Sequence, residues 1–363
     1  MRDKRFLLYL LLLSTFLLSM MALLVSADTG VNTGAKSSAL YNPDTKAFLY
    51  EKNADCKLPM ASTTKIVTAL ISIETLDFDE VITVPKEAVG VEGSSLYLKE
   101  GDTLTVKDLV YGVLLQSAND AATVLALRIC GNISDFAELM TARAREIGTH
   151  NTCFQNPHGL DSEEHYTTAH DLALICAEAI GNDTFKTITS TYKYTFNIGE
   201  QTRTIVNHNK LLKLYDGCVG VKTGFTKKSG RCLVSAAERD GVTLVAVTLN
   251  DPDDWTDHKN MLDYGFKCLE YIDLIDTVEI PEYLPTVSPD GTSLKIGLAK
   301  TGITKRIDDD LTYTVDIPSY IASDTKCGDK IGEITLKFGK NEEIIDIIAQ
   351  SDVKIKRTKR RFL

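Results

Sequence analysis

Past residue 27, the 363-residue chain contains no apolar stretch long enough to span a bilayer. It lacks a basic excess as well: 50 Asp and Glu outnumber 40 Lys and Arg, for a formal net charge of −10. An acidic body argues against nucleic acid as a partner. Histidine is sparse, with six in all, and no two form an H-E-x-x-H or H-x-x-x-H pair. His150, His158, His165 and His170 lie near one another. Their irregular spacing and the lack of a paired catalytic Glu argue against a zinc peptidase, so neither metal nor cofactor is expected. Eight cysteines occur without a C-x-x-C pair or a dense framework. Cys130, Cys176, Cys232 and Cys268 fall in apolar runs, where a thiol acts as a small hydrophobe, and buried thiols are expected ahead of disulfides.

The N-terminus is where a long apolar run does occur. Arg2, Lys4 and Arg5 precede residues 6–25, whose only polar members are Tyr9, Ser14, Thr15 and Ser19, and Val25-Ser26-Ala27 closes the run with small residues. That order is a secretory signal, so residues 1–27 are expected to be removed on export, with an uncleaved anchor as the alternative. The segment carries a net charge of +2, and its loss takes the body from −10 to −12. Residues 354–363 oppose this acidity with six Lys or Arg and no acid. Two readings stand for this basic tail: contact with an anionic membrane surface, and a disordered solubilising end.

Between these ends the periodicity changes twice. Residues 39–41 and 47–50 flank Asn42-Pro43-Asp44-Thr45, a strand–turn–strand signal. Residues 64–76 are apolar on nearly every side, as in a helix buried in a core. Residues 104–126, 133–147 and 171–180 read as further helices, the last starting near Thr168 or His170. Strand texture begins at Val219, continues through a hairpin of residues 232–237 and 243–249, and returns to helix at 257–268. Strands, then helices, then strands with a helix describe an α+β fold, an antiparallel sheet covered by helices. Past residue 272 only short strand-like segments remain (278–280, 294–296, 313–315 and 331–338), separated by Pro, Gly and Asp. The expected organisation is a signal at 1–27, a main domain at 28–272, a small β domain at 273–353 and a basic tail at 354–363.

Three motifs carry chemistry: Ser62-Thr63-Thr64-Lys65, Ser117-Ala118-Asn119 and Lys222-Thr223-Gly224. S-x-x-K also starts at Ser190, Ser323 and Ser351, and K-[ST]-G also starts at Lys228 and Lys300, so context must choose. Ser62 opens the buried helix, where Lys65 shares its face and free backbone N–H groups favour a developing oxyanion. Apolar surroundings disfavour an ammonium, which makes Lys65 usable as a base. Ser190 reads as part of a Thr-rich turn, Ser323 as part of the β domain and Ser351 as the lead into the tail. S-x-N occurs once, at a helix–helix corner from which Ser117 can pass a proton and Asn119 can hold a substrate amide. On an edge strand, Lys222 and Thr223 can bind a carboxylate, while Gly224 leaves room for a second backbone. Each motif alone has a plainer reading: an N-cap serine with a solvent lysine, a Ser/Asn turn capped by Asp120, and a surface strand lysine.

In this order and spacing, the three motifs resemble those of the penicillin-recognising serine acyl enzymes. The run from Ala39 to Cys268 resembles low-molecular-mass penicillin-binding proteins, the serine D-Ala-D-Ala carboxypeptidases. Residues 58–65, 114–122, Asn156-Pro157-His158-Gly159-Leu160-Asp161 and 220–226 carry that resemblance. It implies a β-lactamase/transpeptidase-like catalytic domain with Ser62 as acyl acceptor, Lys65 as its base, and Ser117 and Asn119 as the second wall. Lys222 and Thr223 would bind the substrate's terminal carboxylate. Backbone N–H groups of Ser62 and Phe225, beside Gly224, would form the oxyanion hole. The implied substrates are peptidoglycan stem peptides ending in D-Ala-D-Ala, with β-lactam antibiotics as inhibitors, and the implied location is the cell envelope outside the cytoplasmic membrane.

Two departures from the family pattern stand out. Residues 355–363 are too short and too basic for the amphipathic anchoring helix that often ends such proteins, and Phe225 stands where some members carry His. A D,D-endopeptidase acting on wall crosslinks uses the same motifs and is the nearest alternative. A non-catalytic penicillin-binding sensor is a second alternative. A β-lactamase is disfavoured because no clear E-x-x-x-N, placed to activate a deacylating water, follows Ser117-Ala118-Asn119.

Overall fold

The structure is a computed structural model, and it describes residues 30–356. The signal call and residues 357–363 of the tail lie outside the described residues.

Residues 33–356 form one compact unit with two apolar clusters. The unit opens with a hairpin, β1 (Ser37–Asn42) and β2 (Ala47–Lys52), turned where Asn42 Oδ1 accepts from Thr45 N. A 3-10 turn, Ala61–Thr64, then leads into α1 (Lys65–Thr75). Ile66, Val67, Ala69, Leu70 and Ile71 of α1 are all buried, as its near-continuous apolarity requires. A small ribbon of β3 (Val81–Thr83) and β4 (Thr103–Thr105) precedes α2 (Val106–Leu115). Leu104 therefore ends up on a strand, and the helix starts at Val106 through a capping box between Thr105 and Asp108. Next come α3 (Asn119–Cys130), α4 (Ile133–Ile147), α5 (Ala169–Gly181), N-capped by Thr168, and α6 (Asp183–Ser190).

A second hairpin, β5 (Lys193–Ile198) with β6 (Gln201–Val206), and a single turn α7 (Leu211–Leu214) lead to the main strands. These are β7 (Cys218–Thr226), β8 (Gly230–Arg239) and β9 (Val242–Leu249), followed by α8 (Asp254–Cys268). The antiparallel sheet runs β2-β1-β9-β8-β7, so the strand bearing Lys222 is its edge, as expected.

Both faces of this sheet are covered, and period-2 alternation sorts the side chains. Ala39, Tyr41, Val234, Ala236, Val245 and Val247 belong to the core shared with α1 through α6. On the opposite side, His258 of α8 bonds Ser235 and Thr248, and a Cβ placed on Gly265 of α8 would meet Leu40 and Leu244. This is the helix-covered antiparallel sheet of the sequence reading.

The second apolar cluster starts at Leu274. β10 (Leu269–Asp273) and α9 (Leu274–Thr277) precede β11 (Tyr283–Pro285), β12 (Ser293–Leu298), β13 (Gly302–Arg306), β14 (Leu311–Asp316), β15 (Lys330–Phe338) and β16 (Asn341–Ala349). Five of these make a sheet in the order β11-β12-β16-β15-β14, while β10 pairs with β13. The strand expected at 278–280 does not form. Asp273 accepts from Ile275 N and turns the chain into α9, and Pro281 brings no N–H to a ladder.

All eight cysteines are free thiols. Cys176 and Cys232 are buried, Cys130 and Cys268 are half-buried, and Cys56 and Cys327 are exposed.

Candidate active site

The turn at Ala61–Thr64 puts Ser62 three residues ahead of Lys65, the first residue of α1. At this spacing the two polar ends meet: Lys65 Nζ lies 3.0 Å from Ser62 Oγ. The lysine is fully buried, and two acceptors brought from far along the chain hold its amine. Asn119 Oδ1, at the start of α3, accepts at 2.6 Å, and the His158 carbonyl accepts at 2.6 Å. Burial and the charge of Lys222 drive the Lys65 pKa well below the ordinary lysine value, against a smaller opposing pull from Asp120.

A neutral amine has two hydrogens and one lone pair. The Asn119 and His158 oxygens take the two hydrogens, so the lone pair is left for the Ser62 hydroxyl. The arrangement fits a base poised on a nucleophile.

The loop carrying His158 is built to deliver its carbonyl. Asn156 Oδ1 accepts from His158 N and Gly159 N, Asn156 Nδ2 donates to Leu160 O, and Thr68 of α1 donates to Pro157 O at 2.6 Å. Gly159 has φ +87°, and a Cβ there would sit 1.9 Å from Ala61 O. Only glycine lets the loop come this close to the turn bearing Ser62. Thr64 Oγ1 donates to Ala61 O and lies 2.7 Å from His165 Nε2, while His165 Nδ1 accepts from Gln155 N. Nε2 therefore carries the proton. Burial keeps both rings neutral, lowering His158 to about 3 and His165 to about 4.

Ser62, Ser117, Thr223, Gly224 and Phe225 line one open cleft of about 550 Å³. Ser117 has φ +62°, a left-handed conformation at the corner between α2 and α3. A Cβ on Gly224 would lie 3.0 Å from Ser62 N, so the edge strand abuts the nucleophile's own backbone. Phe225 is the exposed lip of the cleft.

Asn119 and Lys222 are placed differently from the sequence reading. Asn119 is buried and spends its side chain on Lys65 and on the Glu92 carbonyl, which accepts from Nδ2. Lys222 is only 1% exposed, its Nζ donates to Thr223 O, and burial lowers its pKa to about 7. The rival motif copies lie elsewhere. Ser190 closes α6 with its hydroxyl on Thr187 O, where a Thr-rich turn was expected. Lys228 lies in the turn between β7 and β8, and Lys300 pairs with Glu343 at 2.8 Å.

The sequence reading missed Ser94, His208, Lys210, Arg231, Cys232, Asp254 and Trp255, which also line the cleft. One signal was available: folding residues 218–239 as a tight hairpin sets Arg231 opposite Phe225.

Comparisons with known proteins point to one family. The profile of a family described as D-alanyl-D-alanine carboxypeptidase matches residues 24–253. The chain is 36% identical over 219 residues to the D-alanyl-D-alanine carboxypeptidase DacF of Bacillus subtilis, covering 59% of this chain and 56% of that protein. It thus spans little more than half the length of that relative. A D-alanyl-D-alanine carboxypeptidase of Streptomyces sp. is 34% identical over 262 residues, or 66% of this chain and 90% of that one. Among solved structures, the D-alanyl-D-alanine carboxypeptidase DacD from Francisella tularensis superposes with a TM-score of 0.66 at 26% identity, covering 90% of this chain and 95% of its own. A DD-transpeptidase of Streptomyces gives a TM-score of 0.61 at 33% identity over 65% of this chain and 98% of its own.

Proposed function

The chain belongs to the D-alanyl-D-alanine carboxypeptidase family, and on that premise we propose that it removes the terminal D-alanine from peptidoglycan stem peptides through an acyl-enzyme on Ser62. One observation carries the reading: the amine of a fully buried Lys65 lies 2.6 Å from Asn119 Oδ1, 2.6 Å from His158 O and 3.0 Å from Ser62 Oγ.

Ser62 Oγ attacks the carbonyl carbon of the D-Ala–D-Ala peptide bond as its proton passes to Lys65 Nζ. The oxygen gains negative charge beside the backbone N–H groups of Ser62 and Phe225. As the tetrahedral adduct collapses, the C–N bond breaks and the proton that Lys65 took passes by way of Ser117 to the departing amine, leaving Lys65 neutral. Water then adds to the Ser62 ester as Lys65 takes its proton; the ester C–O bond breaks, that proton returns to Ser62 Oγ, and the shortened peptide leaves with a new carboxyl group. A β-lactam ring opens on Ser62 by the same first step and stays attached as an ester.

The test is the intact mass of protein recovered from its producing cell after brief exposure to benzylpenicillin, beside Ser62→Ala. One penicilloyl adduct on wild type and none on the variant, with D-alanine release from a pentapeptide stem, supports the assignment. Absence of an adduct on folded wild type sinks it. The same mass tests the proposed export to the cell envelope, since cleavage after Ala27 leaves Asp28 as the first residue.

A further inference from the structure

The cleft must recognise a substrate ending in a carboxylate, and Lys222 is poorly placed for that task. Its Nζ is buried and committed to the Thr223 carbonyl. The two cations that line the cleft are Lys210 and Arg231. We propose that Arg231, rather than Lys222, supplies the charge that binds the substrate's terminal carboxylate, with Asp254 as its positioning residue. The inference rests on the reading of Ser62 as the acylated nucleophile.

Arg231 stands directly across the strand pair from Phe225. Its Nε donates to Asp254 Oδ2 at 3.1 Å and its Nη2 to Asp254 Oδ1 at 2.5 Å. The Asp254 side chain is 4% exposed while that of Arg231 is 44% exposed, so a buried carboxylate holds a guanidinium that faces the solvent of the cleft. A guanidinium has five N–H donors, and these two bonds leave three free, including both on Nη1. The Trp255 ring centroid lies 5.8 Å from the guanidinium carbon and 6.0 Å from Lys210 Nζ. The ring limits the directions Arg231 can take. Lys210 keeps the wall positive after the Asp254 charge is counted. A planar fork held at one edge offers the other to a carboxylate, beside the half-buried Thr223.

The experiment compares two stem pentapeptides, one ending in free D-Ala-D-Ala and one ending in its C-terminal carboxamide, across wild type, Arg231→Gln, Arg231→Lys and Lys222→Met. In Arg231→Gln, kcat/KM for the free acid is expected to fall on the order of tenfold to a hundredfold, mostly through KM. The carboxamide should change by less than about threefold, and Arg231→Lys should recover part of the preference for the acid. A parallel pair, benzylpenicillin and its methyl ester, reads the same preference as the rate of Ser62 acylation. Equal losses on acid and carboxamide would make Arg231 purely structural and overturn the proposal. A preference that survives Arg231→Gln but vanishes in Lys222→Met would return the role to Lys222. Wild type that forms no Ser62 adduct defeats the functional reading itself, an outcome distinct from both.

Discussion

Gly159→Ala is the substitution that tests how the site is assembled without touching any group that meets substrate. Alanine at φ +87° pays the left-handed penalty of roughly 1–2 kcal/mol. Its Cβ would also sit 1.9 Å from Ala61 O and 2.9 Å from Thr64 Oγ1, and both lie on the turn bearing Ser62. Relieving the first contact to 3.0 Å requires loop and turn to separate by about 1 Å. Overpacking of this kind costs roughly another 1–3 kcal/mol, so the expected loss of stability is about 2–5 kcal/mol in sum. The larger effect is on chemistry. The separation moves His158 O away from Lys65 Nζ and leaves one amine hydrogen without its acceptor. Misplacement on this scale is worth on the order of a hundredfold in rate. The assay is the rate of penicilloyl adduct formation by intact mass, beside a urea denaturation midpoint. Gly148→Ala is the control: it has φ +104° and nothing within 4 Å of the added carbon, so it loses stability alone. Acylation within about threefold of wild type in a destabilised Gly159→Ala protein would refute the claim that the His158 carbonyl sets the base.

Two further outcomes follow from the same site and its supporting core. Asn119→Asp places a carboxylate where Oδ1 now lies 2.6 Å from Lys65 Nζ. That charge favours the ammonium, raises the Lys65 pKa and moves the rise of acylation rate to higher pH, so the rate at neutral pH falls by roughly tenfold and recovers in alkali. A pH profile that drops without moving would argue against Lys65 as the base. The buried rings of His158, His165 and His258 are lowered to about 3, about 4 and about 3, so below pH 6.5 the unfolded chain binds protons that the folded chain refuses. Stability therefore falls with pH between about 6.5 and 4, by up to about 1.4 kcal/mol per pH unit for each ring. His258→Gln should take one ring's share, up to about 1.4 kcal/mol per pH unit, from that slope in denaturation midpoints taken across the range, and an unchanged slope would refute the assignment of His258.

How much of this was legible beforehand depends on the distance over which each feature is decided. The S-x-x-K pair was readable because three residues make about one helical turn, and the apolar run after Lys65 marked which copy was buried. The edge position of Lys222 and the hairpin of β8 and β9 were readable because alternation has a period of two. The helix-covered antiparallel sheet followed from the order of those elements. Val278-Glu279-Ile280 misled because the same short apolar pattern occurs at strands and at the exits of helices.

The surroundings that would make Lys65 a base are not local. Its acceptors come from 54 and 93 residues away, on the first residue of α3 and on a loop held by Asn156. Likewise β10 pairs with β13 some thirty residues on, and Asp254 meets Arg231 from the far side of a strand pair. Burial reversed the roles of two cations: Lys222, in the conspicuous motif, is enclosed, while Arg231, in no motif, faces the cleft. Periodicity and local spacing settled which elements form and which serine leads the buried helix, because backbone geometry fixes both within a few residues. Which oxygen holds an amine, and which charge meets the solvent of the cleft, was decided only when segments distant along the chain packed together, since side-chain environment depends on the whole tertiary arrangement.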